Sequence, residues 1–203
     1  MAETGWLLGG SAENYGGGLK SWVNPENVLF EGATSSAIQD TNVSGLGQFL
    51  YVYNFNYNLP VGSLIKGVGV RISVAADSTG TRDDQVRLFL EGEPTGDNNR
   101  IAEYWPTSNV VREYGGSSDV WGLPLTRDQI IKPSFGVGLT IWSGSKALCA
   151  VVYIKMNIYY EVDSHNTSAR DNGVYKKGPV FIKDGGIWKP GRSFVRDNGA
   201  WKS

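Results

Sequence analysis

The sequence predicts an all-β protein, a jelly-roll-like antiparallel β-sandwich with a C-terminal extension of short β-hairpin repeats. The 203 residues include 12% aromatic residues and 27 glycines, a composition that favours strands and turns over helices. Long stretches alternate between apolar and polar residues with a period of two, as half-buried strands do. Residues 170–203 repeat one motif at a fixed spacing.

The alternating stretches mark the strands. Residues 48–59 place Phe49, Tyr51 and Tyr53 on one predicted face and asparagines on the other. Because a single sheet of about eight strands cannot cover its own apolar face, we expect two packed antiparallel sheets. The predicted strands occupy residues 28–30, 36–41, 48–59, 68–74, 86–90, 135–142 and 149–162.

One short helix is predicted before residue 135. Thr126 and Gln129 have the spacing of a capping box, in which the two side chains satisfy each other's backbone N–H groups. Pro133 ends the helix, because proline cannot continue it. We expect one or two turns packed on the sandwich.

The C-terminal repeat is a base, Asp, Asn or Gly, Gly, an apolar residue, an aromatic residue and Lys. Asn-Gly and Gly-Gly favour two-residue hairpin turns, because both central residues need positive φ. In that register Asp197 faces Ala200, and a base faces an aromatic ring in each repeat, an arrangement that favours cation–π contact. The predicted pairs are Arg170 with Tyr175, Lys183 with Trp188 and Arg196 with Trp201.

Hairpins this small bury no core of their own, so we predict that they dock on a partner through exposed anchors. The residues expected to make this interaction are Arg170, Tyr175, Lys183, Trp188, Lys189, Arg196 and Trp201.

Four segments are predicted. Residues 1–22 are expected to be a flexible N-terminal arm, since their glycine-rich stretch lacks the Lys-Ser/Thr ending of a phosphate-binding loop. Residues 23–162 form the sandwich, 163–169 a polar linker and 170–203 the docking arm.

Charge is unevenly placed along the chain. Residues 165–203 carry a net charge of +5, and the preceding residues carry −6. A basic, aromatic arm on an acidic body supports contacts between copies or binding to an anionic surface, and either should weaken with salt.

Cysteine content and hydropathy indicate the cellular compartment in which the chain is expected to fold. The single cysteine, Cys149, lies in an apolar run and is expected to be a buried, inert thiol. The longest apolar run is far shorter than the roughly 20 residues that span a bilayer, and the N-terminus lacks the pattern of a secretion signal. We expect synthesis in a reducing cytoplasm and no membrane insertion.

The sequence offers no clear catalytic constellation. His165, the only histidine, lies in the polar linker, where a solvated side chain is favoured. Asp83, Asp84 and the acidic residues at 91–97 could supply oxygens to calcium, but without EF-hand spacing we interpret them as solvated loop carboxylates. We therefore expect no enzyme activity, no metal and no cofactor. A glycosidase with two carboxylates across a cleft stays an open alternative.

Several aromatic residues allow two interpretations. Trp105, Tyr114 and Trp121 lie among glycine and small polar residues, and burial as plugs of the sandwich is favoured. The alternative makes Trp105 and Trp121 glycan contacts that stack on sugar rings. The basic, aromatic arm would also suit single-stranded nucleic acid. Each repeat, however, carries an Asp and the whole chain a net charge of −1, so we expect no nucleic-acid partner.

A set of short segments resembles a β-sandwich domain of tailed-bacteriophage structural modules. The resemblance spans roughly residues 5–161 in matching order, and the Gly-x-Trp-Lys units are similar to repeats at the ends of phage tail and fibre proteins. The segments are residues 22–27, 54–55, 59–62, 67–68, 104–106, 114–122, 135–137 and 159–160.

The resemblance implies a non-enzymatic component of a virion, made in the host cytoplasm. It would be a tail, fibre, adaptor or decoration protein that forms a homo-oligomer, with a trimer favoured, and contacts other virion proteins. The alternative function is a carbohydrate-binding module that recognises a host surface glycan.

Overall fold

The structure is a computed structural model. It describes residues 1–32, 36–40 and 45–162, together with the backbone of six short strands between residues 168 and 202. The chain divides into two units, Met1–Glu161 and Val162–Ser203.

The first sheet of the larger unit has six antiparallel strands. Its path is β1–β12–β7–β10, and two short strands, β2 and β4, pair with β12 beside β1. These strands are β1 (Ala2–Glu3), β2 (Leu7–Leu8), β4 (Ala37–Asp40), β7 (Ser63–Ala76), β10 (Val110–Gly115) and β12 (Leu148–Val162).

The second sheet also has six antiparallel strands, in the order β3–β6–β11–β8–β9, with β5 pairing with β11. One irregularity interrupts the pairing of β11 with β8, between Thr140 and Ile141. The strands are β3 (Ser11–Tyr15), β5 (Gly45–Leu46), β6 (Phe49–Tyr53), β8 (Thr81–Leu90), β9 (Glu93–Thr95) and β11 (Gly136–Ser143).

The inner faces of the two sheets form the core. Val68, Val70 and Ile72 of β7 are fully buried, and so are Val137 and Leu139 of β11. Each such side chain stabilises the fold by about 1.5–3 kcal/mol when it leaves water. The predicted all-β, jelly-roll-like sandwich is confirmed, because the period-two alternation does place one apolar face of each long strand inside.

The prediction for residues 48–59 was wrong in its C-terminal half. Strand β6 ends at Tyr53, and Asn54 and Asn56 then adopt left-handed backbone conformations with φ of 60° and 53°. Phe55 and Tyr57 are still buried while the asparagines are exposed. An irregular segment can therefore show the same alternation as a strand.

The N-terminal segment corrects a second prediction. Residues 1–22 are not an arm outside the sandwich, because β1 and β2 pair with β12 and β3 pairs with β6. These strands are too short to produce a clear periodic signal. Strand β10 was missed, and residues 25–29 form a 3-10 helix where a strand was predicted at 28–30.

The predicted capping box is confirmed. Helix α1 (Arg127–Ile130) begins after Thr126, whose side chain accepts from the Gln129 N–H, while Gln129 Oε1 accepts from the Thr126 N–H at 2.9 Å. None of the helices among the described residues is long and apolar enough to span a membrane.

The described residues of the smaller unit form three two-stranded sheets. They pair Arg170 with Tyr175, Lys183 with Trp188 and Arg196 with Trp201, which confirms the predicted register. The strands are β13 (Ser168–Asp171), β14 (Val174–Lys177), β15 (Phe181–Asp184), β16 (Ile187–Pro190), β17 (Val195–Asp197) and β18 (Ala200–Lys202).

Candidate functional site

The outer face of the second sheet carries a cluster of aromatic rings. On β6, Leu50 and Val52 point into the core, so Phe49, Tyr51 and Tyr53 lie on the opposite face. Tyr51 stacks on Tyr53 with ring centroids 4.6 Å apart and on Phe89 of β8 at 4.2 Å. The alternation in the sequence identified this row of rings, but the row faces away from the core.

A glycine on the central strand β11 allows the rings to lie directly on the backbone. A Cβ atom at Gly138 would come within 2.4 Å of Phe89 and 2.9 Å of Phe49. Phe89 is thereby fully buried although it belongs to the outer face. The aromatic cluster is therefore a second small core, built on the outside of the sheet.

Tyr15 closes this face from the edge strand β3. Its ring packs edge-to-face on Phe89 at 5.1 Å, and its hydroxyl donates to Glu93 Oε2 at 2.5 Å. The hydrogen bond to the Glu93 carboxylate raises the pKa of Tyr15, because that bond favours the protonated phenol. Since β3 and β9 are the two ends of the sheet, their contact shows that the sheet curls around its aromatic face.

A groove of about 530 Å³ lies beside this cluster. Tyr15 and Phe49 form one part of its lining, and the glycine turn at residues 16–18 forms a wall. Gly18 has to be glycine, because a Cβ atom there would lie 2.3 Å from the backbone of Gly47 and of Gln48. The C-terminal end of the glycine-rich stretch, which was predicted to be flexible, is therefore packed closely against residues 47–48.

A β-bulge supplies polar groups to the groove. On β8, Gln85 pairs with Thr140 and Asp83 pairs with Ile141, so Asp84 is the extra residue of the bulge. Asp83 points into the core, whereas Asp84, Gln85 and Thr140 all line the groove. Regular alternation would have turned Asp84 away from Gln85, so the bulge brings two neighbouring polar side chains to one face.

These polar side chains hold one another in place. Thr140 Oγ1 donates to Asp84 Oδ2 at 3.2 Å, and Arg87 Nε donates to Gln85 Oε1 at 2.7 Å. As far as the described residues go, Asp84 Oδ1 and Gln85 Nε2 stay available as an acceptor and a donor for a ligand. The arrangement can thus recognise a molecule that offers an apolar face to the rings and hydroxyl or amide groups to the floor.

Asp83 corrects the prediction of a solvated carboxylate. Its side chain is fully buried and accepts hydrogen bonds from Trp105 Nε1 at 2.7 Å, from Tyr114 Oη at 2.9 Å and from the Ile101 N–H at 3.0 Å. Arg112 forms an ion pair with it at 3.4 Å. Burial, with the Asp83 charge as the next cause, raises the pKa of Tyr114.

The two tryptophans proposed as glycan contacts are core residues. Trp105 is 1% exposed and Trp121 is fully buried, and Trp121 Nε1 donates to the Val68 carbonyl at 2.9 Å. Neither ring offers a face to a ligand, so the glycan-contact assignment was wrong and the plugging interpretation is confirmed. Both indole N–H groups are satisfied inside the protein, as buried tryptophans require.

The other carboxylates considered for calcium do not gather into a site. Glu91 accepts from Lys132 Nζ at 2.7 Å, a hydrogen bond that lowers the pKa of Glu91. Across the described residues, no group of three or more His, Cys, Asp or Glu side chains is placed to hold a metal ion.

The side chains of the predicted docking arm and His165 lie outside the described residues. The structure gives only backbone pairing for the arm, with Lys189 opposite Ile182. The interaction assigned to Arg170, Tyr175, Lys183, Trp188, Lys189, Arg196 and Trp201 therefore stays a prediction.

Comparison with known proteins gives a limited result. No family model matches the chain, and no curated protein matches it. The chain is similar to a solved structure described as "CBM4 structure and function", with 12% identity, a TM-score of 0.36, and coverage of 77% of this chain and 95% of that one. It is also similar to "CBM29_1, A Family 29 Carbohydrate Binding Module from Piromyces equi", with 11% identity, a TM-score of 0.31, and coverage of 77% and 91%.

Proposed function

We propose that the chain is a carbohydrate-binding protein that holds a short glycan in the groove of the second sheet. The observation that carries this proposal is the combination of the aromatic rings of Tyr15 and Phe49 with the bulge residues Asp84 and Gln85 in one groove. Sugar rings have apolar C–H faces that pack on aromatic side chains, and hydroxyl groups that pair with carboxylates and amides.

The size of the groove fits this class of ligand. Small-molecule sites occupy roughly 300–1,000 Å³, and the groove measures about 530 Å³. Its supports are rigid, because Tyr15 is fixed to Glu93 and Asp84 to Thr140 before any ligand arrives. Preorganisation of this kind lowers the entropic cost of binding.

We propose binding without turnover. Of the described residues that line the groove, Asp84 is the one carboxylate. A glycosidase of the usual kind needs two carboxyl groups that flank the scissile bond. The groove therefore suits recognition of a glycan better than its hydrolysis.

The test is binding to a panel of immobilised neutral glycans. We expect Phe49→Ala to weaken binding at least tenfold, because it removes one ring face of the groove, and Asp84→Asn to weaken it by removing a charged acceptor. Phe30→Ala is the matched control, since Phe30 is an exposed aromatic residue, at 63%, outside the groove lining. Thermal melting checks that each variant is folded. Equal binding by wild type and a folded Phe49→Ala variant would contradict the proposal.

A second candidate function is a structural part of a phage virion that assembles with its own copies or with other virion proteins. The three hairpins support it, because all three pair a base with an aromatic residue in the same register. Glycan binding on a host surface is compatible with such a location.

Light scattering at low and high salt tests this second function. We expect a defined oligomer in wild type that dissociates in the Trp188→Ala, Trp201→Ala double variant, with Phe30→Ala as the control. A wild-type monomer at both salt concentrations would contradict self-assembly.

A further inference from the structure

We propose that the groove selects glycans that carry an acetamido group, that is, neutral N-acetylated sugars. This inference rests on the proposed carbohydrate binding and adds the class of sugar. It starts from two leucines, Leu19 and Leu46, which line the groove together with its polar residues. Their exposed fractions are 73% and 47%.

The backbone holds the two leucines beside each other. The Leu19 N–H donates to the Leu46 carbonyl at 3.0 Å. Leu46 pairs with Trp142 of β11, and Trp142 lies two residues beyond Thr140. The side chain of Leu46 therefore lies on the outer face, together with those of Trp142 and Thr140. The groove therefore has an apolar side in addition to its aromatic rings.

A glucan without acetamido groups has no apolar substituent to pack against the two leucines. Its substituents are hydroxyl groups, and a hydroxyl group pressed against leucine loses water without gaining a hydrogen bond. An acetamido group has a methyl end that leucine can cover and an amide end that needs polar partners.

The positions of the strands match those two ends. β11 lies between β5, which carries Leu46, and β8, which carries Asp84 and Gln85. Neighbouring strands are about 4.8 Å apart, so an acetamido group placed over Thr140 can direct its methyl group to Leu46 on one side and its carbonyl oxygen to Gln85 Nε2 on the other, because these two groups diverge from the same carbon atom.

The charge of the groove narrows the class further. The described lining residues include the acid Asp84 and no Lys, Arg or His. Arg87, whose Nε donates to Gln85 at 2.7 Å, places a base beside this acid, so neither an anionic nor a cationic sugar meets an excess of opposite charge. The ligand expected is therefore neutral as well as N-acetylated.

Calorimetry on the full chain with four oligosaccharides of equal length tests the inference. The probes are triacetylchitotriose, its deacetylated form, cellotriose and trigalacturonate. We expect triacetylchitotriose to bind about tenfold more tightly than cellotriose, the discrimination that one buried methyl group commonly provides, and trigalacturonate not to bind. Leu46→Ala should abolish this preference, and Leu148→Ala, an exposed leucine outside the groove lining, should keep it.

The outcomes separate the two proposals. Equal affinities for triacetylchitotriose and cellotriose, both lost in a folded Phe49→Ala variant, would overturn the N-acetyl selection and leave carbohydrate binding intact. Tighter binding of the deacetylated, cationic trimer would also overturn it, because charge on Asp84 would then decide. Failure of all four sugars to bind would contradict carbohydrate binding itself, and the selection with it.

Discussion

The buried Asp83 makes the sharpest prediction about stability. Its carboxylate receives hydrogen bonds from Trp105, Tyr114 and the Ile101 backbone, and it pairs with Arg112, which is 8% exposed. Asp83→Ala leaves the guanidinium buried without its counter-charge, and breaking a buried pair in this way costs about 3–5 kcal/mol. Arg112 keeps two carbonyl acceptors, from Glu103 at 3.0 Å and Tyr104 at 2.9 Å, but the three neutral donors lose their acceptor, so we expect the upper half of that range.

The assay is urea unfolding followed by circular dichroism, with linear extrapolation to water. Asp84→Ala is the matched control, because Asp84 is the next residue and is only partly buried. It loses the hydrogen bond from Thr140, so its cost should be about 0.5–1.5 kcal/mol. The double variant Asp83→Asn, Arg112→Met should recover part of the loss, because it leaves no unpaired charge. The single amide oxygen of Asn cannot accept from all three donors, so the recovery should be incomplete. Equal costs for Asp83→Ala and Asp84→Ala would refute the reasoning.

Three further predictions concern the outer face, the phenols and the helix cap. Gly138→Ala should cost about 1–3 kcal/mol in urea unfolding, because its Cβ would lie 2.4 Å from Phe89. Burial raises the pKa of Tyr57 and of Tyr114 above 10 in the folded state. The unfolding free energy should therefore be constant from about pH 7 to 9 and fall above about pH 10, where only the tyrosines of the unfolded chain ionise. An unfolding free energy that rises above about pH 10 would contradict the burial of these two phenols. Thr126→Ala should cost about 1 kcal/mol in urea unfolding through loss of the cap, and no change would show that the cap does not matter.

The sequence was sufficient for features that depend on local chemistry or on period-two alternation. Asn-Gly and Gly-Gly turns determined the hairpin register, and the spacing of Thr126 and Gln129 identified the helix cap. The long strands were recognisable because one face of each is buried in the core.

The candidate groove could not be predicted because it depends on contacts between distant segments. The register of β8 with β11 decides which of the two neighbouring acids is buried, and the extra residue Asp84 sets that register. The sequence Asp83-Asp84 alone does not show which of the two acids faces the core. Strand β3 is too short to be recognised from its sequence, so the glycine turn after Tyr15 has the composition of a flexible arm although β3 pairs with β6.

One signal for the site was present and was interpreted incorrectly. Phe49, Tyr51 and Tyr53 alternate with Leu50 and Val52, so both faces of β6 are apolar. A strand that is apolar on both faces must bury both. The glycines at 136 and 138 of β11 also recur every two residues, so they leave space on one face of the neighbouring strand. Together these positions indicated a second aromatic cluster outside the core.

The central claim is that a glycan occupies the groove, and amide chemical-shift mapping tests it most directly. The 22.1 kDa chain, labelled with nitrogen-15, would be titrated with triacetylchitotriose and with cellotriose. The account predicts saturable shifts at the amides of Gly16, Gly17, Gln48 and Thr140, and none at Arg71 on the outer face of the first sheet. Shifts confined to the first sheet or to the hairpins, or none at millimolar sugar, would contradict it.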